Sequence, residues 1–418
     1  MNNSKTIYVF ENWSSVIPQR IGFLYVDNIK GTEHFSFEYD ENYINAGKSR
    51  TVLDPDLVFY SGRQYVTGKA NFGIFSDSSP DRWGRLLIKR REELTAKKEG
   101  RKPASLGESD YLLGVYDETR MGALRFSLDD GETFLSDDKT DAAPPFTTLR
   151  TLEEAAREFE KNEDPLNDKW LNQLLKPGSS LGGARPKASV RNADGSLWIA
   201  KFPSKHDEND TGAWEKVTHD LAALAGLNVP PSKLQKFSSY GSTFLVKRFD
   251  RRLSGRIHFS SAMTMLGQVD GASAAEGAGY LQIAEFLRSN GSCPQEDLIE
   301  LWKRIVFNMA VSNTDDHLRN HGFLLDDNGW RLSPLYDVNP NPSGEMLSLN
   351  VSEESNLIDI DLAVETARFY GIAKDKAKTI AADICDTVSK NWERLAKNCG
   401  ISRGNIELMR PAFAASKI

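Results

Sequence analysis

The segment NTDDHLRN, residues 313–320, and the segment LSPLYDV, residues 332–338, decide how this 418-residue chain is read. In the first, Asp315 and Asn320 are separated by four residues, and Asp337 stands seventeen residues beyond Asn320. Between them, the turn at 326–329 joins two short strands, so a hairpin is expected over 322–334. Asn-Thr-Asp-Asp is also good turn-forming chemistry, and alone it reads first as a structural loop. His317 invites a metal-ligand or general-base reading, although a single His in a polar loop is more often an ordinary hydrogen-bonding partner. The spacing favours function. Magnesium demands hard oxygen ligands and takes only one or two carboxylates, leaving its other positions to phosphate and water.

Upstream, SSLGGARPK at 179–187 leads into a strand over 188–191, a turn over 192–195 and a second strand over 197–201 ending at Lys201. Glycines let backbone N–H groups approach a phosphate without a Cβ in the way. A lysine at the end of the next strand can reach phosphates as a point charge. Glu215 follows on a helix capped by Asp210 and Thr211, with Trp214, Val217, Leu221 and Leu224 as its apolar face. A buried strand over 243–246 then runs into Lys247. Glycine loop, strand lysine, helix glutamate, connector, Asp-x4-Asn and a further Asp is the order of the phosphoryl-transfer elements of protein kinases. Asp315 or Asp316 could be the base; the gap to Asn320 favours Asp315.

The remaining sequence bounds the class. Net charge is −7, with 39% hydrophobic and 27% charged residues, which excludes wholesale disorder and argues against nucleic acid as the partner of the whole surface. No apolar run approaches the ~20 residues needed to span a bilayer, so no membrane partner is expected. The start, MNNSKTIYVF, has no charged leader with an apolar core, and the chain reads as cytoplasmic. Cys293, Cys385 and Cys399 are too few and scattered for a disulfide framework or zinc cluster. An α+β unit is expected over 1–140, with strands at 6–10, 21–26, 35–39 and 122–128. Its helix is expected to begin at Ser79-Pro80, placing Trp83, Leu86 and Leu87 on one face. A linker is expected at 137–148. The basic stretch 85–102 is interleaved with Glu92, Glu93 and Glu99, which favours a solvated helix face over a DNA contact. After 275, helical periodicity dominates, including the stripe Leu298, Leu301, Ile305 and Met309.

Together these segments resemble the HipA family of serine/threonine kinases, the toxins of bacterial type II toxin–antitoxin modules. The resemblance rests on SPDRWGRLL (79–87), YLLGVYDETRMGALRF (111–126), the loop 180–187, residues 199–203, LNVP (227–230), VKRFDRR (246–252), residues 314–320 and RLSPLYD (331–337). It implies an α+β, protein-kinase-like two-lobed fold: an N-terminal α+β subdomain (1–140), a kinase-like N-lobe (141–255) and an all-α C-lobe (256–418) carrying the catalytic loops. It implies ATP and Mg2+ as cofactors, with Asp315 as base, and Asn320 and Asp337 as magnesium ligands. Gly182, Gly183, Ala184, Arg185, Pro186 and Lys187 would form the loop over the phosphates, although Pro186 removes one backbone donor. Lys201, paired with Glu215, would contact the phosphates. Lys247 and Phe249 would face adenine, and His317 and Tyr336 would line the nucleotide site. Ser180 matches a serine that some members autophosphorylate. The implied partners are a protein substrate, aminoacyl-tRNA synthetases being family targets, and a helix-turn-helix, HipB-like antitoxin, with DNA met only through that complex. Alternatives are a small-molecule phosphotransferase and a corepressor with a silent kinase.

Overall fold

The computed structural model describes residues 4–46, 51–131, 133–135, 143–161, 168–178, 183–252 and 255–417. Contact density parts the chain into two compact units: Met1–His206 with Lys247–Ser260, and Asp207–Val246 with Ser261–Ile418. The three segments expected from the sequence have other boundaries and remain a reading of the sequence.

The first unit opens with an antiparallel sheet of β1 (Ser4–Glu11), β2 (Gln19–Ile29), β3 (Thr32–Tyr39), β4 (Gln64–Tyr65) and β5 (Leu124–Ser127), in the order β4-β3-β2-β1-β5. Ile7, Val9, Leu24, Val26, Phe35 and Phe37 are buried from its three long strands. Gly22 is required by close approach, because a Cβ there would overlap the Glu38 carbonyl oxygen and the Phe37 ring. The helix Arg82–Lys98 starts two residues later than expected: Asp81 caps it, its Oδ1 accepting from Arg82 N at 2.8 Å, and Pro80 lies outside. Trp83 and Leu87 are buried as expected, whereas Leu86 is 40% exposed, on the outer side of the same turn. The basic stretch is paired with acids: Arg85 with Glu108, Arg90 with Glu93, and Arg101 with Glu92 and Glu99.

The strands β6 (Lys187–Arg191) and β7 (Leu197–Lys201) form the expected hairpin. Of the expected linker, residues 137–142 lie outside the described residues. Its end does not run free: Arg191 N donates to Pro144 O at 2.9 Å, and Pro145 makes a parallel bridge to Arg191. Two prolines lack donors but still accept through their carbonyls, so a Pro-Pro pair can dock on a strand edge.

A buried polar hub binds residues 117–125 to residues 248–256. Asp250, 1% exposed, accepts from Gly122 N at 2.9 Å, from Arg248 Nε at 2.8 Å and Nη2 at 2.6 Å, and from Arg251 Nη1 at 2.7 Å. Arg248 also donates to the carbonyls of Thr119 and Arg120. Burial pushes the Asp250 carboxyl upward, but Arg248 and Arg251 outweigh it and hold the group well below the usual carboxylate range.

In the second unit, Asp210 caps the helix Thr211–Leu224 and also accepts from Ser242 N and Oγ, both at 2.8 Å. Those bonds hold β9 (Thr243–Lys247), which pairs antiparallel with β8 (Ser232–Gln235). Trp214, Val217 and Leu221 are buried, but Leu224 at the last turn is 52% exposed. Helices Pro294–Ala310 and Lys374–Asn398 carry the core, with Trp302 Nε1 bonded to Ala363 O at 2.8 Å and Trp392 stacked on Phe413. The hairpin of Gly322–Asp326 and Gly329–Leu332 forms as expected.

Candidate active site

The helix Pro294–Ala310 delivers the chain to its loop. It ends at Val311, and Ser312 takes a left-handed φ of 48° that turns the backbone back across the helix end. Asn313, buried, then binds in three directions: its N–H to Asn308 O at 2.8 Å, its Nδ2 to Asn308 Oδ1 at 3.1 Å, and its Oδ1 accepts from Asn339 N at 3.2 Å. Asn341 continues the seam, donating to Ser312 O at 3.1 Å and from Nδ2 to Thr314 Oγ1 at 2.7 Å. Two segments far apart in sequence are thereby laced side by side. Tyr336 supplies a further tie, its hydroxyl donating to Arg319 O at 2.7 Å, and Thr218 Oγ1 donates to Val338 O, just beyond Asp337, at 2.6 Å.

This lacing brings Asp315, Asn320 and Asp337 together. Asn320 Nδ2 donates to Asp315 O at 2.9 Å, which leaves its Oδ1 as the hard oxygen it can offer. Asp337 adopts φ 58°, a left-handed conformation uncommon for non-glycine residues and concentrated at functional sites. Asp337 is near enough to Asp315 for the two charges to interact. Partial burial pushes the Asp315 carboxyl up, the charges of Asp337 and Asp316 add to that rise, and His317 opposes it.

Asp315 and Asp316 are adjacent in sequence and opposite in environment. Asp315 keeps part of its surface open to solvent. Asp316 is 1% exposed, and its Oδ2 accepts from Tyr280 Oη at 2.6 Å, Asn308 Nδ2 at 2.7 Å and His321 Nε2 at 2.8 Å. Burial would raise its carboxyl, but His321 and the donated bonds outweigh burial and hold it low. An Asp316→Asn chain should lose about 1–3 kcal/mol of stability, because three buried donors would face one amide. Chemical denaturation checks this, and an unchanged midpoint would contradict it.

His317 shapes the turn through its backbone, its N–H donating to Asp315 O at 3.0 Å and its carbonyl accepting from Asn320 N at 2.8 Å. Its Nδ1 is buried with no hydrogen-bond partner among the described residues. Glu215 also lies in the second unit, buried on the helix Thr211–Leu224.

Other expected nucleotide contacts fall in the first unit. Gly183 takes a left-handed φ of 82°, and a Cβ there would meet Lys187 Nζ at 2.5 Å. Ala184 is exposed and Arg185 half-buried, while Pro186 and Lys187 are buried. Pro186 O accepts from Phe202 N at 2.9 Å, so the proline that removes a donor still joins the loop to the strand end beyond Lys201. Lys201, Lys247 and Phe249 are half-buried. Ser180 and Gly182 lie outside the described residues.

Sequence reading missed Asn308, Tyr280, Asn339 and Asn341, because each acts only once the chain is folded. Arg248 and Asp250 were missed too, although two charges of opposite sign one residue apart share a side of an extended chain.

The sequence model of the HipA-like C-terminal domain matches residues 179–392, about half of the chain. The chain belongs to the HipA family. It is 31% identical over 182 residues to Y4mE of Sinorhizobium fredii, covering 38% of this chain and 41% of that protein. It is 26% identical over 227 residues to the serine/threonine-protein kinase toxin HipA of Shewanella oneidensis, covering 46% of this chain and 50% of that one. The chain thus spans about half the length of the curated relatives it matches. A solved structure of Shewanella oneidensis HipA with HipB and operator DNA superposes over 98% of this chain and 96% of that one, at TM-score 0.64 and 16% identity. The fold is accordingly the kinase-like HipA fold. No helix among the described residues is long and apolar enough to cross a membrane.

Proposed function

We propose that this HipA-family chain is an ATP- and magnesium-dependent serine/threonine protein kinase acting as the toxin of a toxin–antitoxin pair. The observation that carries the reading is the meeting of Asp315, Asn320 and Asp337 in one laced loop pair, with two carboxylates whose mutual repulsion favours a cation. The described residues contain no group of three or more His, Cys, Asp and Glu side chains that could hold a metal ion. The donor set suits magnesium, which needs only a carboxylate and an amide oxygen from the protein when phosphates and water complete its shell. Asp337 and Asn320 Oδ1 would hold that ion, and it would supply charge neutralisation on the phosphates.

In this reading Asp315 accepts the proton of a substrate Ser or Thr hydroxyl. The hydroxyl oxygen bonds to the γ-phosphorus of ATP as the bond to the bridging oxygen breaks and ADP leaves. A carboxyl raised above its ordinary value is, in its ionised form, a better proton acceptor. Asp316 is assigned no proton transfer: it holds the loop through Tyr280, Asn308 and His321. Lys201 and residues 182–187 are assigned to the nucleotide phosphates, Lys247 and Phe249 to the base, His317 and Tyr336 to the nucleotide site, and Glu215 to orienting Lys201. Ser180 is proposed as a target within the chain, and a helix-turn-helix protein as the partner. That partner is supported by the HipB found with the Shewanella protein.

Incubation with γ-labelled ATP and a lysate should label a protein band only when Mg2+ is present, and Asp337→Asn should lower the signal by about 10²-fold or more. Equal labelling by both chains would sink the assignment, and labelling of small hydroxyl compounds alone would favour the small-molecule phosphotransferase.

A further inference from the structure

The motif SPDRWGRLL has no role in the reading above, yet its first turn grips the glycine-rich loop. Asp81 uses both carboxylate oxygens. Oδ1 caps the helix by accepting from Arg82 N at 2.8 Å, and Oδ2 accepts from Gly183 N at 2.7 Å. The Gly183 carbonyl is held in turn by Trp83 N at 3.1 Å, so both backbone polar groups of Gly183 are bonded to this one helical turn. The Trp83 indole, 2% exposed and packed edge-on against Phe159, donates from Nε1 to Lys187 O at 3.0 Å. Two points of the loop, Gly183 and Lys187, are therefore fixed by residues about a hundred positions earlier in the chain.

We propose that Asp81 and Trp83 are positioning residues for nucleotide binding, through which the N-terminal subdomain sets the loop that faces the phosphates. This rests on the kinase reading. A loop of glycines loses much conformational freedom when ordered, and N–H groups stabilise a phosphate only when already aimed at it. Anchoring Gly183 in its left-handed conformation removes that ordering cost from the binding step. Nothing in this arrangement touches the reacting atoms, so the effect belongs to nucleotide affinity and not to the transfer step.

The test uses the full chain and separates helix capping from loop anchoring. Asp81→Ser keeps a good N-cap, but a hydroxyl is too short to reach Gly183 as well. Trp83→Phe keeps an aromatic ring and removes only the indole donor. A charge-assisted hydrogen bond is worth roughly a tenfold change or more in an equilibrium constant. In Asp81→Ser, KM for ATP should rise about tenfold and the Gly183 amide should exchange with solvent about tenfold faster, with kcat and thermal midpoint little changed. Trp83→Phe should raise KM in the same direction. An unchanged KM and unchanged Gly183 exchange in Asp81→Ser would overturn the proposal. A rise in KM accompanied by a matching fall in kcat and thermal midpoint would also overturn it, as a purely structural effect. Failure of the wild-type chain to bind ATP at all would remove the kinase reading and this proposal with it. Intact binding with unaltered exchange would remove only the positioning role.

Discussion

Asp315→Asn should reduce phosphoryl transfer by about 10²–10⁴-fold, the range for loss of a positioned general base. The substitution keeps the side chain's size and takes away the proton acceptor. Its effect on stability should run the other way. The folded chain raises the Asp315 carboxyl above its ordinary value of 3.8, so the ionised group opposes folding near neutral pH, and an uncharged amide relieves that opposition. Transfer rate and thermal midpoint measured on the same preparation check both. An Asp315→Asn chain that lost activity only by unfolding would contradict the assignment. The pH dependence has a fixed sign as well: activity should rise with pH through a midpoint above 3.8, because the base must lose its proton first. Asp316→Asn, which weakens a buried network, should instead destabilise the chain.

Removing Asp250 should be the most damaging single change to the fold. Its carboxylate is sealed from solvent with Arg248 and Arg251 against it, and the same two oxygens receive the Gly122 amide. Asp250→Ala leaves two buried guanidinium groups without their counter-charge, at a cost of about 3–5 kcal/mol. The linkage follows from the lowered carboxyl. A group held below its unfolded value of 3.8 contributes stability that is present above that pH and is lost as pH falls toward the folded value. Denaturation midpoints at pH 7 and at pH 2.5 should therefore differ more in the wild-type chain than in Asp250→Ala, because the loss falls below pH 3.8. Equal stability of the two chains at pH 7 would contradict this account of the hub.

How much of this could be read in the chain depended on distance along it. The Asp315–Asn320 spacing is local, and a loop of such composition between a helical stripe and a hairpin keeps its meaning in any fold. The hairpin of β6 and β7 was legible for the same reason, since its turn residues set the register. The choice between Asp315 and Asp316 was not legible with equal force, because Tyr280 and His321, which seal Asp316, are set by tertiary packing. Asp337's left-handed backbone has no sequence signal beyond the modest tolerance of Asp for that conformation. Small errors had small causes. Pro80 suggested a helix start, but the carboxylate at Asp81 offers a better cap. Leu86 and Leu224 fit a helical stripe, yet one lies on the outer side of its turn and the other at a helix end, where the core no longer covers them. The docking of this segment was hidden because the Pro144 carbonyl, not a side chain, makes the contact.

If Asp337 and Asn320 hold a divalent cation beside Asp315, calorimetric titration of ATP with and without Mg2+ will read it. The wild-type chain should bind ATP at least about tenfold more tightly with Mg2+ than without it, and Asp337→Asn should lose that gain while binding metal-free ATP as the wild type does. An identical magnesium dependence in the two chains would contradict the account.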